Sequence, residues 1–343
     1  MSNETHLEVA DDPAIIAAIE RAEREAGRSD KEFVRALVAH AEPRERGAGA
    51  EAPDGSAVFG VRGRSAGIRA RSVIPITTAG AATRSFKIYE DPRYLANARA
   101  LAQRSHGRTR VIGGARVPAA EFLDCVAVGS DDQWGCTGTL IAAKVVLTAG
   151  HCADFATRIF VGSDVTQPGK VVKVKRRVRH PQYHQGKRND LMVLILDEKV
   201  ENVSPRKFAV KTMIDAATDG RVMGFGNTEA TGSFGYGQKR FVDVPVASAA
   251  CRGKVDGEDD NVTYGCDVGL ELVAGRPLLA RDSCTGDSGG PFYCQSSNQQ
   301  WLLAAATSRA TDSSMHNCGD GGVYVRMDRY RAWINSIPGV TLP

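Results

Sequence analysis

No cysteine precedes Cys125, and all eight lie in the last two-thirds of the 343-residue chain. An even count confined to one region points to a disulfide framework and an oxidising compartment. Cys-x-x-Cys pairs and His/Cys clusters with zinc spacing are missing as well. That argues against a metal site, and no metal or cofactor is expected. A one-sided charge is also lacking: 44 basic and 40 acidic residues leave a formal net charge of +4. So near a balance gives no reason to expect nucleic acid or a membrane surface as a partner. No apolar run is long enough to span a bilayer. Met1-Ser2-Asn3-Glu4 leads into acidic residues, without the basic and apolar regions of a secretory signal. The cysteines therefore suggest a secreted or periplasmic protein, and the N-terminus leaves an intracellular one as the alternative. Hydrophobic content of 42% and charged content of 24% are those of a soluble globular protein able to bury a sizeable core.

The chain changes texture twice. Asp12-Pro13 opens a helical pattern through Ile15, Ile16, Ile19 and Ala22 that Gly27 stops. Ser29 and Glu32, at capping-box spacing, open another through Phe33, Val34, Leu37 and Val38. A plain helical hairpin is the simpler account, and a module that docks a regulator is the sharper one. From about Arg44 to Thr83, Gly, Ala, Ser and Arg dominate without periodicity, as in a linker. Asp91-Pro92 then starts a third helical pattern through Tyr94, Leu95, Ala98 and Leu101. Arg104 to Arg110 breaks it with basic, polar and Gly residues, an exposed and easily cut stretch.

Beyond Val111 come short β-rich runs punctuated by Gly, Asp, Asn and Pro: 125–128, 139–147, 158–161, 171–178, 191–196, 222–225, 240–246 and 301–307. Many short strands with turn signals indicate a barrel or sandwich. Asp328 to Ile337 alone reads as a helix, with Tyr330, Trp333, Ile334 and Ile337 on one face. In the basic stretch Lys170–Arg179, Lys173, Lys175, Arg177 and Arg179 alternate with Val172, Val174, Arg176 and Val178, as a half-buried strand with a solvated face requires; a nucleic-acid or polyanion exosite is the alternative.

Three segments converge on one chemistry. Leu147-Thr148-Ala149-Gly150-His151-Cys152 runs a strand into a tight turn bearing a histidine. Asn189-Asp190 stands directly before the apolar Leu191–Leu196. Asp282-Ser283-Cys284-Thr285-Gly286-Asp287-Ser288-Gly289-Gly290-Pro291 surrounds a serine with glycines. Amide hydrolysis near pH 7 needs a nucleophile, a base to take its proton and a group to orient the base. Glycines beside the serine let two backbone N–H groups converge where an oxyanion would form.

On these motifs the region from Val111 to about Ile337 resembles the trypsin/chymotrypsin family of serine proteases, and their chain order, His then Asp then Ser, is that family's. The resemblance implies an all-β fold of two packed antiparallel six-stranded barrels with a C-terminal helix. It divides the chain into a helical N-terminal segment (1–48), a linker and activation pro-segment (49–110) and a protease domain (111–343). It implies His151 as general base, Asp190 as its orienting partner and Ser288 as nucleophile. The N–H groups of Gly286 and Ser288 would form the oxyanion hole. Asp282, six residues before Ser288, would sit at the base of the specificity pocket and select Lys or Arg.

Ser308, Ala310 and Gly322 would line the pocket walls. Ala310 stands where the family has Gly, and Arg309 where it has Trp, which adds charge to the wall. Cutting Arg110–Val111, by another protease or by the enzyme itself, would free a Val111 ammonium to pair with Asp287. The resemblance also implies disulfides Cys136–Cys152, Cys251–Cys266 and Cys284–Cys318, leaving Cys125 and Cys294 as a pair by elimination. Substrates would be proteins or peptides. A binding module that keeps the fold without activity is the rival, against which the intact His151, Asp190 and Ser288 speak.

Overall fold

A computed structural model describes residues 92–104, 114–131, 133–184, 188–228, 235–275, 282–314 and 318–342. The helices expected within 1–48, the linker up to residue 91 and the Arg110–Val111 bond lie outside them. Helix α1 (Pro92–Arg104) starts at a proline, whose missing N–H would have had no partner in the first turn. Tyr94, Ala98 and Leu101 recur at i, i+4 and i+7 and form its buried stripe. The two-residue strand β1 (Ala115–Arg116) follows.

The next strands are β2 (Cys125–Gly129), β3 (Trp134–Ala142), β4 (Val145–Thr148), β5 (Arg158–Val161), β6 (Lys170–Arg179) and β7 (Met192–Leu196). They close an antiparallel barrel in the order β2-β3-β4-β7-β6-β5. Val126 and Val128 point into this barrel, while Cys125 and Ala127 face a second cluster shared with the rest of the molecule. Both faces of β2 are thus covered, which is why it reads as an unbroken apolar run rather than an alternating one.

Helix α2 (Lys211–Asp215) leads to β8 (Asp219–Gly224) and β9 (Arg240–Ser248). A hairpin of β10 (Lys254–Val255) and β11 (Glu258–Asp259), then helix α3 (Asp260–Tyr264), precede β12 (Glu271–Ala274). The chain continues through β13 (Pro291–Gln295), β14 (Trp301–Ala310), β15 (Gly322–Arg326) and helix α4 (Arg331–Ser336). The sheet runs β9-β12-β15-β14-β13-β8, pairing of β8 with β9 closes it, and β1 adds to β9. The fold is therefore two six-stranded antiparallel barrels with a short C-terminal helix.

A shared core joins the barrels, with Leu147, Phe160, Phe225, Tyr293, Val325 and Ile334 among its buried members. At its edge the nearly fully buried Asp124 carboxylate accepts from Arg206 Nε at 2.8 Å and Nη2 at 2.5 Å, and from the Tyr293 hydroxyl at 2.6 Å. A buried carboxylate needs such partners, and these three span β13 and the loops flanking the first barrel.

Several expectations are corrected. The apolar stretch 139–147 is two strands, β3 and β4, because the chain reverses at the exposed Ala143-Lys144, a pair with no turn signal in the sequence. Strands β12, β13 and β15 are too short, or too close to Gly-rich motifs, to stand out as patterned runs. Cys136–Cys152, Cys251–Cys266 and Cys284–Cys318 are bonded. Cys125 and Cys294 are not: both are free and buried. Cys125 belongs to the core between the barrels and Cys294 to the interior of the second, so β13 presents Tyr293 rather than Cys294 toward the β2 side. Burial pushes both thiols far above their ordinary values, so they behave as small apolar side chains. On β6, Lys173 and Lys175 face solvent, whereas Arg176, Arg177 and Arg179 engage Pro338, Ala153 and the Tyr183 ring within the chain.

Candidate active site

Strand pairing brings the first two chemical groups together. In the β4–β7 ladder Thr148 lies opposite Met192, so the residues just after β4 and just before β7 meet at one barrel end. His151 sits there on a short 3-10 turn (Gly150–Asp154), and Asp190 two residues before β7. Asp190 Oδ2 accepts from His151 Nδ1 at 2.8 Å and Oδ1 from the His151 backbone N–H at 2.9 Å. The second bond fixes the turn and the first fixes the ring, so Nδ1 carries the proton and Nε2 is left as an acceptor.

Asp190 is 3% exposed and His151 35%, placing the carboxylate inside and the ring edge at the cleft. Burial alone would raise the Asp190 carboxyl. The charge and hydrogen bonds of His151, with the Ser308 hydroxyl, outweigh that and hold it below the usual range. Burial likewise pulls the His151 imidazole down, but Asp190 overcomes it and the net direction is up. Asn189, with φ of +50°, makes the sharp bend before Asp190. Its Oδ1 accepts from the Tyr330 hydroxyl at 2.8 Å.

The serine loop comes from the second barrel, immediately before β13, and is tied to the first. The Thr137 backbone N–H on β3 donates to the Ser288 carbonyl at 2.9 Å, and Thr137 Oγ1 donates to the Gly286 carbonyl at 2.8 Å. Gly289, at φ +78°, packs so closely that a Cβ there would lie 2.2 Å from Thr148 Oγ1 and 2.3 Å from the Ala149 N. Only glycine lets the loop lie against the strand end that carries His151. The Ser288 carbonyl thus lies 3.9 Å from the sulfur of Cys152, the residue that follows His151. Among the described residues, Asp287, Gly289 and Gly290 spend their N–H groups on Cys284, Thr307 and Asp287 carbonyls, while no acceptor takes those of Gly286 and Ser288. Backbone donors left open on a serine loop are what acyl transfer through a tetrahedral oxyanion requires.

Below this loop, the carboxylate of Asp287 is buried and accepts from Gly226 N–H at 2.8 Å and Cys284 N–H at 2.9 Å. Burial pushes its carboxyl up to about 6 against those two bonds. Asp282, half-buried, is pushed up to about 7 by burial, although the Tyr324 hydroxyl and the Ser283 backbone donate to it. Gly322 faces Ala310 across the β14–β15 ladder, and a Cβ at Gly322 would come 2.9 Å from Asp282 Oδ2. Gly322 is therefore set against the Asp282 carboxylate, with Ala310 as its partner on the neighbouring strand.

The Ser308 hydroxyl donates to Asp190 Oδ2 at 2.7 Å, which ties the strand expected to line the pocket to the carboxylate that holds His151. Arg309 departs from expectation, adding no free charge to the cleft. It forms a fork onto Glu271, Nη1 to Oε1 and Nη2 to Oε2 both at 2.8 Å, and donates to the Gly265 carbonyl at 2.8 Å. Glu271 is 1% exposed. Arg309→Ala would strand that carboxylate, and we expect it to cost about 3–5 kcal/mol of stability in urea unfolding. Preference for the residue before the cut bond is expected to stay unchanged. A stable Arg309→Ala with altered preference would instead mean that Arg309 meets substrate. Sequence reasoning missed Thr137, Tyr324 and the Ser308–Asp190 bond, because each acts through a tertiary contact with no local signal.

Cys136, His151 and Cys152 come close enough to suggest a metal site, but the two sulfurs are bonded to each other and offer no thiolate.

Comparison with known proteins agrees with this geometry. The family model described as Trypsin matches residues 111–334. Trypsin 5G1 of Aedes aegypti is 29% identical over 252 residues, covering 70% of this chain and 88% of that protein. Kallikrein-14 of Homo sapiens is 26% identical over 247 residues, covering 68% and 86%.

Proposed function

From the premise that the chain belongs to the trypsin family, and is a serine endopeptidase acting on proteins or peptides, we propose that it cuts after Lys or Arg through His151, Asp190 and Ser288. The observation that supports this most is the Asp190 carboxylate holding both the ring and the backbone of His151 beside the Ser288 loop. Ser288 Oγ attacks the scissile carbonyl carbon while its proton passes to His151 Nε2. The Gly286 and Ser288 N–H groups receive the oxyanion. The imidazolium returns its proton to the leaving amine, the C–N bond breaks, and an acyl-enzyme remains. Water then repeats the sequence and frees Ser288. Asp282 receives the substrate's ammonium or guanidinium.

We take the protein to be made as a zymogen, cut at Arg110–Val111 by another protease or by itself. Arg110 meets the same Lys/Arg rule. The new Val111 ammonium would pair with Asp287, whose carboxyl is raised by burial and thus lacks a full counter-charge. Three disulfides fit an oxidising, extracellular setting. Docking of a regulator on residues 1–48 stays an independent proposal.

A fluorophosphonate probe tests the reading. It is expected to label Ser288 only after the cut, with Val111 as the new N-terminus by sequencing. Absence of labelling in the cut protein would leave a fold that binds without hydrolysing.

A further inference from the structure

We infer that α1 remains bound to the second barrel as a separate chain after Arg110–Val111 is cut, so that the mature enzyme is a non-covalent two-chain assembly. This rests on the activation reading above, because α1 lies on the N-terminal side of that bond.

The contact is built like a core. Tyr94 and Ala98 of α1 pack in one buried cluster with Ala247 of β9, Val273 of β12, Val323 of β15 and the Cys251–Cys266 disulfide. Tyr94 is 1% exposed and Ala98 4%, so the helix completes the cluster. Burying an aromatic ring of this kind favours the bound state.

Polar contacts set the register. Asn97 Nδ2 donates to the Val246 carbonyl of β9 at 2.9 Å. Arg93 Nη2 pairs with Asp260 Oδ1 at 3.0 Å, and the Asp260 side chain is fully buried. The other Asp260 oxygen accepts from the Ser248 hydroxyl at 2.5 Å. If α1 left, the protease body would keep a carboxylate without its guanidinium and an apolar surface opened to water.

No disulfide could hold the helix, since the first cysteine is Cys125. Retention must come from non-covalent contacts of this kind. Val323 adjoins Gly322, so the bound helix backs the strand that runs past Asp282.

The test uses the full chain carrying Ser288→Ala, which prevents self-digestion. His106→Asp, Gly107→Asp, Arg108→Asp, Thr109→Asp and Arg110→Lys let enteropeptidase cut just before Val111. After the cut, size-exclusion chromatography at micromolar protein is expected to carry the N-terminal fragment with the body under native conditions and to separate them in denaturant. Arg93→Glu with Tyr94→Ser is expected to weaken retention about 30-fold or more. Both changes lie on the released fragment, and a thermal melt of the isolated body verifies its fold. Free elution of the unaltered fragment would overturn the inference, and equal retention of the doubly altered one would overturn the assigned surface. The activation reading is measured separately, by whether the same cut in the Ser288 parent raises peptidase activity. Activity can rise while the helix leaves, or stay flat while it remains.

Discussion

Ser288→Ala is expected to lower kcat on a peptide substrate by about 10⁶-fold in the cut enzyme. A serine hydroxyl is a poor nucleophile until a base takes its proton, and in the proposed mechanism that base is His151, which Asp190 orients. Removing the hydroxyl removes the covalent route. The Gly286 and Ser288 N–H groups and the substrate pocket remain, so a residual rate about 10³–10⁴ above the uncatalysed one is expected. The change should not disturb the fold, because the loop is held through backbone: the carbonyl of residue 288 still accepts from the Thr137 N–H. Equal thermal midpoints with a collapsed kcat would place the loss in the chemistry. Digestion by the variant at the parent's rate would refute the mechanism outright.

Asp282→Ser is expected to lower kcat/KM for Arg and Lys substrates by about 10³-fold, the scale of leaving a buried cation without its partner. A substrate with a neutral residue at that position should lose little. The parent's pH response follows from the same carboxyl. Burial holds Asp282 at about 7, so above that pH it is ionised and attracts a cation, and below it a proton neutralises it. The ratio of kcat/KM for an arginine substrate to that for its uncharged citrulline analogue is therefore expected to fall as pH drops through about 7. Taking the ratio cancels the titration of His151, which affects both substrates alike. The Asp282→Ser ratio is expected to be flat. A parent ratio unchanged between pH 5 and 9 would remove Asp282 from substrate recognition.

The parts of the site that were legible early are those whose chemistry demands a particular local backbone. Gly286 to Pro291 could be read because a serine loop with two convergent N–H groups needs glycines at set offsets, and Gly289 shows the reason in its contact with Thr148 and Ala149. His151 was legible from its turn at a strand end. Asp190 was readable only through its order in the chain and the apolar strand behind it. The bond from the Ser308 hydroxyl to Asp190 was not legible, since nothing in its neighbours reveals that a residue on β14 bonds to one before β7, 118 positions away. Arg309 was expected to charge the pocket, because its partner Glu271 lies 38 positions off with no local link.

Cys125 and Cys294 show the same division most simply. Their number allowed a fourth bridge, but a strand's two-residue period puts Tyr293 on the face toward the first barrel and Cys294 on the other. What the amino-acid sequence determined by itself was the chemistry available and the class of fold. Side-chain type, glycine placement and strand period are local properties, written in neighbouring residues. What only the tertiary structure decided was which distant groups share a carboxylate, which cysteines meet, and that α1 packs onto the second barrel. Those outcomes depend on how two closed barrels face one another, a long-range packing problem that no stretch of neighbouring residues encodes.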